Sequence, residues 1–323
     1  MTGPAIDLRD AADIDLEEYA AFQRRAYRDL LARRGASDAH MSPEYYRWKY
    51  HPPDGVARIA RVVDNGVTRS SSAMLPLRLT VNGRLLTGWH ALDVGTVPEA
   101  RGRGLFLATL RSLVESVPAG DVFFAFPNEG SIPSFRKLGC IENTILTTWV
   151  APLVFLTAAS GDGLARIHRF DPEHDTIAGH LDRVRPCVDR RSDYLNWRYV
   201  DHPINDYAAF VAGDRGSDGL CVVRRAHAMG RDLALVMELS GPTEAAQRAL
   251  LAHAAFWARS EGLGTMALMS TTLSLATALR KLLAPVPSFL LPKRQVLVVR
   301  SGAEDAPSSA TRWSLSTGDW DVF

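Results

Sequence analysis

Apolar positions along the chain alternate between two periods, and this alternation predicts an α/β fold. Short apolar or alternating runs predict strands at 58–63, 72–81, 85–97 and 121–126. Between the last two, apolar residues recur at spacings of three and four from Phe106 to Val117, which predicts a helix at 105–117. Within residues 85–126, the turns that connect strand, helix and strand carry the clearest indications of function.

The same pattern occurs twice. A strand at 5–8 and a helix at 16–31 precede the strands and helix described above. A strand at 164–170 and a helix at 173–184 precede a second group of the same kind. The second set continues with strands at 207–212, 220–227 and 233–239 and a helix at 243–260. An aromatic segment also repeats, so that Trp48 and Trp197 are 149 residues apart. We interpret this as two copies of one fold, at 1–155 and 164–323, with 160–163 as a linker.

A glycine-rich turn enters the helix at 105–117. It reads Arg101-Gly102-Arg103-Gly104, directly after the strand at 85–97 and Pro98. A helix start leaves backbone N–H groups without partners at the positive end of the helix dipole. The glycines let this backbone approach an anion, and the arginines add charged donors. The turn therefore favours binding of a pyrophosphate.

A polar turn and a second short helix follow the strand at 121–126. With the first turn, this segment resembles two signatures of the GCN5-related N-acetyltransferases (GNAT), in the same order. The first signature is Arg/Gln-x-x-Gly-x-Gly/Ala, which the turn at 101–105 matches with a shift of one residue. The second is Asn-x-x-Ala-x-x-x-Tyr-x-Lys-x-Gly, and its counterparts are Asn128, Ser131, Phe135, Lys137 and Gly139.

This resemblance implies two tandem GNAT-like domains, each a mostly antiparallel mixed sheet flanked by helices. It also implies that acetyl-CoA is the acyl donor, without a metal, and that its pantetheine arm lies in a splay between two strands. The implied cofactor-binding residues are Gly95, Thr96, Val97, Arg101, Gly102, Arg103, Gly104, Leu105, Asn128, Ser131 and Phe135. Phe135 stands where the family commonly has the tyrosine that protonates the leaving thiolate, and a phenyl ring cannot donate a proton.

Three groups are candidates for the general base. His90 and Asp93 lie in the strand at 85–97, and an ammonium acceptor must lose a proton before it attacks. Tandem acetyltransferases of the enhanced-intracellular-survival type, which this chain resembles, place their C-terminal carboxylate in the active site. This makes the carboxylate of Phe323 the third candidate, with Asp319 or Asp321 as alternatives. Each group also has a structural interpretation, as a hydrogen-bonded strand residue or part of a docked tail.

The second copy keeps the pattern of elements and loses the chemistry. Its turn, Gly241-Pro242-Thr243, has no arginine, and Pro242 removes an N–H donor. We therefore expect one cofactor site per chain, in the N-terminal half. Candidate acceptor-binding residues are Trp48, Tyr46 and Glu238, which either line a channel or belong to the core and to a buried ion pair.

Composition narrows the possible partners. The net charge of +1 predicts binding to neither nucleic acid nor an anionic membrane, and a small-molecule acceptor fits better. Three widely spaced cysteines and an acidic N-terminus without a signal pattern predict reduced thiols in a cytoplasmic protein. We expect a monomer or a homodimer.

The function predicted is acyl transfer from acetyl-CoA to an amine of a small molecule, in a ternary complex. Three alternatives remain. The acceptor could be a hydroxyl of a sugar or secondary metabolite, with His90 or Asp93 as a stronger base. The donor could be aminoacyl-tRNA, as in peptidoglycan-type transferases with tandem copies of this fold. Lastly, the protein could bind acyl-CoA without catalysis.

Overall fold

The computed structural model describes residues 4–34, 38–157, 164–175, 185–213, 218–228, 230–271, 279–291, 294–301 and 312–320. The helices are α1 (Leu16–Arg34), α2 (Pro43–Lys49), α3 (Leu105–Glu115), α4 (Ile132–Lys137), α5 (Ser192–Leu195), α6 (Glu244–Ser260) and α7 (Leu279–Leu282). A π-helical turn, Asn196–Val200, continues α5. The strands are β1 (Asp7–Asp10), β2 (Arg58–Asp64), β3 (Val67–Val81), β4 (Arg84–Thr96), β5 (Val122–Ala125), β6 (Ile141–Ile145), β7 (Thr147–Pro152), β8 (Leu164–Ile167), β9 (Cys187–Val188), β10 (Ala208–Ala212), β11 (Gly219–Ala228), β12 (Arg231–Ser240), β13 (Thr265–Ser270), β14 (Ala284–Pro285) and β15 (Val296–Ser301).

The described strands form two sheets. The first has the order β1-β2-β3-β4-β5-β15-β6, with β9 paired beside β3, and the second has the order β14-β7-β13-β12-β11-β10-β8. Antiparallel pairs predominate in both, and each sheet has one parallel pair, β4 with β5 and β12 with β13. The mixed α/β architecture with helices on the sheets is the fold class that the sequence predicts.

The internal repeat is confirmed by the order of the elements. In the first copy, β2, β3 and β4 are consecutive antiparallel neighbours, α3 follows, and β5 pairs parallel to β4. In the second copy, β10, β11, β12, α6 and β13 repeat this arrangement. The predicted linker at 160–163 and most of the predicted helix at 173–184 lie outside the described residues.

Each half of the chain contributes a strand to the other sheet. β15, near the C-terminus, lies between β5 and β6 in the first sheet. β7, from the N-terminal half, pairs with β13 and β14 in the second sheet. The division at 1–155 and 164–323 stays a prediction, and this exchange of strands is a feature that it did not include.

The predicted apolar faces lie in the core. On α3, Leu110, Leu113 and Val114 are buried against the first sheet, together with Phe123 and Phe135. The larger core cluster lies on the opposite face of that sheet and extends to the second sheet. It includes Trp313 of the C-terminal tail, which is fully buried. No helix in the described part of the chain is long and apolar enough to span a membrane.

Candidate active site

A splay opens between β4 and β5. The two strands pair in parallel only from Gly88 with Val122 to Ala91 with Ala125, whereas β4 continues to Thr96. Within this extension Asp93 has a φ of 49°, and the register with β3 shifts between Ser71 and Ala73. This irregularity is a β-bulge, which bends the strand and redirects its side chains. The β5 side of the extension is the place where a ligand chain can bind along the strand.

The glycine turn lies at the mouth of this splay, where α3 begins. Gly102 and Gly104 have φ values of 77° and 76°, in the left-handed region that favours glycine. The backbone N–H groups of Gly102, Arg103, Gly104 and Leu105 make no hydrogen bond with any described residue. A Cβ at either glycine would meet no atom within 4 Å. The turn therefore presents several N–H donors to open space at the positive end of a helix.

The two arginines of the turn differ in their contacts. Arg101 donates to the carbonyl groups of Thr96 and Ala26, at 3.3 and 3.1 Å, and lies 3.6 Å from the Asp29 carboxylate. These contacts hold the turn against α1. Arg103 is exposed and has no ion pair or hydrogen bond with the described residues. Its guanidinium is the charged group of the turn that remains available to an anion.

The predicted pantetheine-contacting segment, residues 95–97, faces α1 and β3. A Cβ on Gly95 would lie 3.2 Å from the Ala26 methyl group. The Thr96 hydroxyl is 2.9 Å from that of Ser70, and the Val97 N–H donates to the Arg69 carbonyl at 3.0 Å. The side chains of this segment are thus used by the fold, and only its backbone can serve a ligand.

Asn128 and Ser131 form the turn before α4. The Asn128 side-chain oxygen accepts from the Ser131 N–H at 3.0 Å, and the Ser131 hydroxyl donates to the Asn128 carbonyl at 2.9 Å. Asn128 is exposed, and its side-chain NH₂ donates to no described residue. It therefore has free donors close to the end of β5, where the family signature predicts contact with the cofactor.

Phe135 lies in the core and not in the splay. It is 2% exposed and packs near Phe123, with ring centroids 6.3 Å apart. The side chain can support the position of α4, but it presents no surface to a bound molecule. The predicted contact of Phe135 with the cofactor remains a prediction without a geometric basis.

Asp93 is the centre of a buried polar cluster. Its carboxylate is 3.0 Å from the Lys49 ammonium and accepts from the Tyr50 hydroxyl at 2.8 Å. The side chains of Asp93 and Lys49 are each 1% exposed. Burial, followed by the Asp93 charge, raises the pKa of Tyr19 to about 12 and that of Tyr50 well above its ordinary value. Asp93 is thus held by two donors, away from solvent.

His90 lies in a stack of aromatic rings. Its imidazole is parallel to the Phe124 ring, with centroids 4.7 Å apart and an angle of 6°, and it meets the edge of Phe126 at 5.7 Å. Trp313 of the tail packs on Phe124 from a centroid distance of 5.3 Å. His90 is 5% exposed. It is the titratable side chain of β4 nearest to the point where β4 and β5 separate.

The predicted acceptor-binding aromatics lie in the interior. Tyr46 is 1% exposed and packs on Tyr19 and Tyr50. Trp48 is half-buried, and its indole stacks on that of Trp197 at 5.3 Å and 22°. Tyr46 therefore packs within the first copy and Trp48 packs against the second, and the part of both in acceptor binding stays a prediction.

Glu238 belongs to a second buried cluster, around Arg190. The Arg190 guanidinium is 3.1 Å from the Glu238 carboxylate and 2.7 Å from that of Asp319. Tyr199 and Ser316 donate to Glu238 at 2.6 and 2.7 Å. Burial raises the pKa of Glu238, and the charge of Arg190 opposes this effect. Of the two possibilities given by the sequence, Glu238 is the structurally paired acid.

The tail occupies the splay of the second copy. β12 and β13 pair only from Ala234 with Met266 to Val236 with Leu268. Beyond that point the tail connects the two strands, because Ser316 donates to Glu238 on β12 and Thr317 accepts from the Met269 N–H on β13 at 2.8 Å. At the start of α6 an N–H group is already paired, because the Thr243 hydroxyl accepts from the Ala246 N–H. Asp321 and Phe323 lie outside the described residues.

Lys49 and Arg190, the two cations that neutralise the buried acids, were not predicted from the sequence. The repeat carries a signal for part of this arrangement, because Tyr50 and Tyr199 are each two residues after the paired tryptophans. In both copies this tyrosine donates to the acid two residues beyond the last parallel pair, Asp93 or Glu238. Among the described residues, no group of three or more His, Cys, Asp or Glu side chains could hold a metal ion.

The family model matches only the N-terminal part of the chain. The family model of the acetyltransferase (GNAT) domain matches residues 7–140, which include the splay, the glycine turn and α4. No curated protein matches the sequence significantly.

Solved structures match both halves of the chain. A GCN5-related N-acetyltransferase from Anabaena variabilis superposes with a TM-score of 0.70 at 12% identity, over 95% of this chain and 75% of that chain. One from Kribbella flavida has a TM-score of 0.60 at 18% identity, over 94% and 74%. Eis1 from Mycobacterium abscessus has a TM-score of 0.61 at 16% identity, over 94% and 76%. At these identities the similarity establishes the fold.

Proposed function

The N-terminal half of this chain is a GNAT acyltransferase domain, and on this premise we propose that the protein transfers an acetyl group from acetyl-CoA to an amine of a small molecule. The observation that carries the proposal is the glycine turn at the mouth of the splay. It combines unpartnered N–H groups, open space at two left-handed glycines and an unpaired arginine. A pyrophosphate is the anion that matches this set of donors.

The residues present fit a coenzyme A molecule along its length. The N–H groups of residues 102–105 and the Arg103 guanidinium would hold the pyrophosphate. The backbone of β4 beyond Ala91 and the Asn128 side-chain NH₂ would bind the pantetheine arm. Acetyl-CoA supplies an acyl group activated as a thioester. The second copy would not bind a second molecule, because the tail fills its splay and Thr243 closes its turn.

Proton transfer is assigned to a short list of groups. Phe135 is buried and cannot protonate a leaving thiolate, so this proton would come from water. Asp93 would serve as the base only after it lost the contacts of Lys49 and Tyr50. His90 lies at the start of the splay, stacked on Phe124, and we propose it as the base that receives the proton of the amine. The terminal carboxylate of Phe323 is the alternative.

Calorimetric titration with acetyl-CoA tests the site. The native chain is expected to bind one molecule per chain, and Arg103→Glu combined with Gly104→Asp is expected to abolish binding. Arg111→Glu is the control for the arginine change, because it makes the same charge change as Arg103→Glu on the exposed side of α3, two turns from the glycines. An absence of binding by the native chain would remove the proposal.

Turnover must be measured separately from binding. The buried Phe135 favours one competing function, a protein that binds acyl-CoA without catalysis. Release of free thiol with a panel of small amines and hydroxyl compounds distinguishes the two, and it also separates N- from O-acetylation. For an amine acceptor, His90→Gln should lower kcat and remove the acidic limb of its pH profile. Binding without thiol release from any acceptor would establish the non-catalytic function.

A further inference from the structure

Arg224 is a buried arginine without an acidic partner in the described part of the chain. It is 7% exposed, and its only hydrogen bond goes from Nη1 to the Arg225 carbonyl, at 3.3 Å. The Nε atom is buried and has no partner. A buried guanidinium is costly unless an anion or several acceptors compensate for the lost water. Arg224 therefore differs from Arg190 and Lys49, which both contact carboxylates.

The surroundings of Arg224 lie at the junction of the two copies. On β11 it shares a face with Leu220 and Val222, which belong to the core cluster common to both sheets. Ala208 pairs with Val223, so one further step in the register places Tyr207 opposite Arg224. Besides Tyr207, its electrostatic neighbours are Arg198 and Tyr45. Burial in the first place, and then the charge of Arg198, lower the pKa of Arg224.

Tyr207 provides a second donor beside the guanidinium. Its hydroxyl accepts from the Asn205 side-chain NH₂ at 3.5 Å, and its own proton has no acceptor among the described residues. The ring is half-buried and packs near His202, with centroids 5.6 Å apart. A charged and a neutral donor thus lie near each other, and Nε of the first and the hydroxyl proton of the second have no acceptor among the described residues.

We propose that Arg224 and the Tyr207 hydroxyl bind an oxyanion, either a carboxylate or a phosphate, carried by a small molecule at the junction of the two copies. The ligand supplies the negative charge that the described residues lack at this position. The guanidinium offers Nη2 to one oxygen of the anion, and the Tyr207 hydroxyl offers its proton to the same group. This site is separate from the glycine turn and does not depend on the acyl transfer proposed above.

A purely structural role would leave a different set of contacts. An arginine that serves packing alone pairs with carbonyl groups or lies over an aromatic ring, as Arg58 does at 4.4 Å from the Trp89 ring. Arg224 has a single carbonyl contact and no ring beneath it within the residues described. The remaining donors are explained by a ligand.

Thermal unfolding with added anions tests the proposal. The protein is titrated with inorganic phosphate, and separately with succinate, at constant ionic strength set by chloride. The unfolding temperature of the native chain should rise and then saturate, because a ligand that binds only the folded state stabilises it. Arg224→Met should lose this rise. Arg225→Met is the matched control, since it removes the same charge from the next residue, which points to the exposed face.

The outcomes separate the possibilities. A response to phosphate alone identifies a phosphate ligand, and a response to succinate alone identifies a carboxylate. Tyr207→Phe, which keeps the ring, should weaken the apparent affinity several-fold and guards against failure of Arg224→Met to fold. The proposal is overturned if all variants respond equally, since this shows a general salt effect. It is also overturned if no anion raises the unfolding temperature of the native chain.

Discussion

Trp48 and Trp197 donate to each other across the junction of the two copies. The Trp48 indole N–H donates to the Trp197 carbonyl at 2.7 Å, and the Trp197 indole N–H donates to the Trp48 carbonyl at 3.0 Å. The two residues occupy equivalent positions of the internal repeat. Their reciprocal contacts show that the copies meet about a local two-fold axis through equivalent helices.

This relationship predicts coupled losses of stability. Trp48→Phe and Trp197→Phe each remove one N–H donor to a carbonyl of the other copy, so each should lower the free energy of unfolding by about 0.5–1.5 kcal/mol. The double variant should lose less than the sum, because the two indole rings also stack on each other and each single change already disturbs that stack. Denaturant unfolding measures all three. Trp257→Phe on α6 is the control with little expected effect, and strictly additive losses at the pair would contradict the prediction.

The buried ion pair of Lys49 and Asp93 predicts that the stability lost by removing the lysine is partly restored by also removing the aspartate charge. Lys49→Met leaves the Asp93 charge buried without its ammonium partner, which should cost about 3–5 kcal/mol. Adding Asp93→Asn removes that charge and should restore a large part of the loss. Asparagine is the suitable replacement because it tolerates the left-handed backbone at this position. Equal stability of Lys49→Met and the double variant would contradict an ionised Asp93.

Buried tyrosines predict a loss of stability at alkaline pH. Burial raises the pKa of Tyr19 from 10.0 to about 12, and it raises those of Tyr50 and Tyr199 well above 10.0. Between pH 10 and 12 the unfolded chain therefore releases protons that the folded chain retains. Each such tyrosine should lower the free energy of unfolding by about 1.4 kcal/mol per pH unit in this window.

Unfolding by denaturant at a series of pH values measures this effect, and tyrosinate absorbance reports the titration. Tyr19→Phe should reduce the slope by the contribution of one group. Below pH 10 the contribution of these tyrosines is fully present, so the curve should be flat with respect to them. A slope of the same size in Tyr19→Phe would show that another group titrates.

The close packing around Gly318 predicts that docking of the tail requires a glycine at this position. A Cβ at this position would overlap the Tyr199 hydroxyl and the Glu238 carboxylate. Gly318→Ala should therefore displace the tail and lower the free energy of unfolding by about 1–3 kcal/mol. Trp313 should become exposed, with a red shift of its fluorescence and faster proteolysis near the C-terminus. Gly264→Ala is the control, because its Cβ would meet no atom within 4 Å.

The sequence predicts the local features of the fold and not its long-range pairings. The face of α3 and the glycine turn could be recognised because spacing and turn chemistry are local properties. The repeat gave the order of the strands in both copies. By contrast, Lys49 is 44 residues from Asp93, and nothing local to either residue indicates the pair.

The exchanged strands could not be predicted for a related reason. An apolar run such as 296–301 fits the interior of either sheet equally well, since burial on both faces leaves no marker of its neighbours. The roles of Tyr46 and Trp48 were open for the same reason, because an aromatic side chain suits both a core and a binding surface. In the structure their contacts lie within the core and between the copies.

The position of β15 has a consequence for the order of events during synthesis. The gap in the first sheet between β5 and the edge strand β6 is closed only when residues 296–301 leave the ribosome. Until then the nascent N-terminal half carries open strand edges, the kind of surface on which chains aggregate. The N-terminal half of the molecule, although made first, therefore completes its sheet last, and a truncated chain with an intact glycine turn would still lack a strand from that sheet.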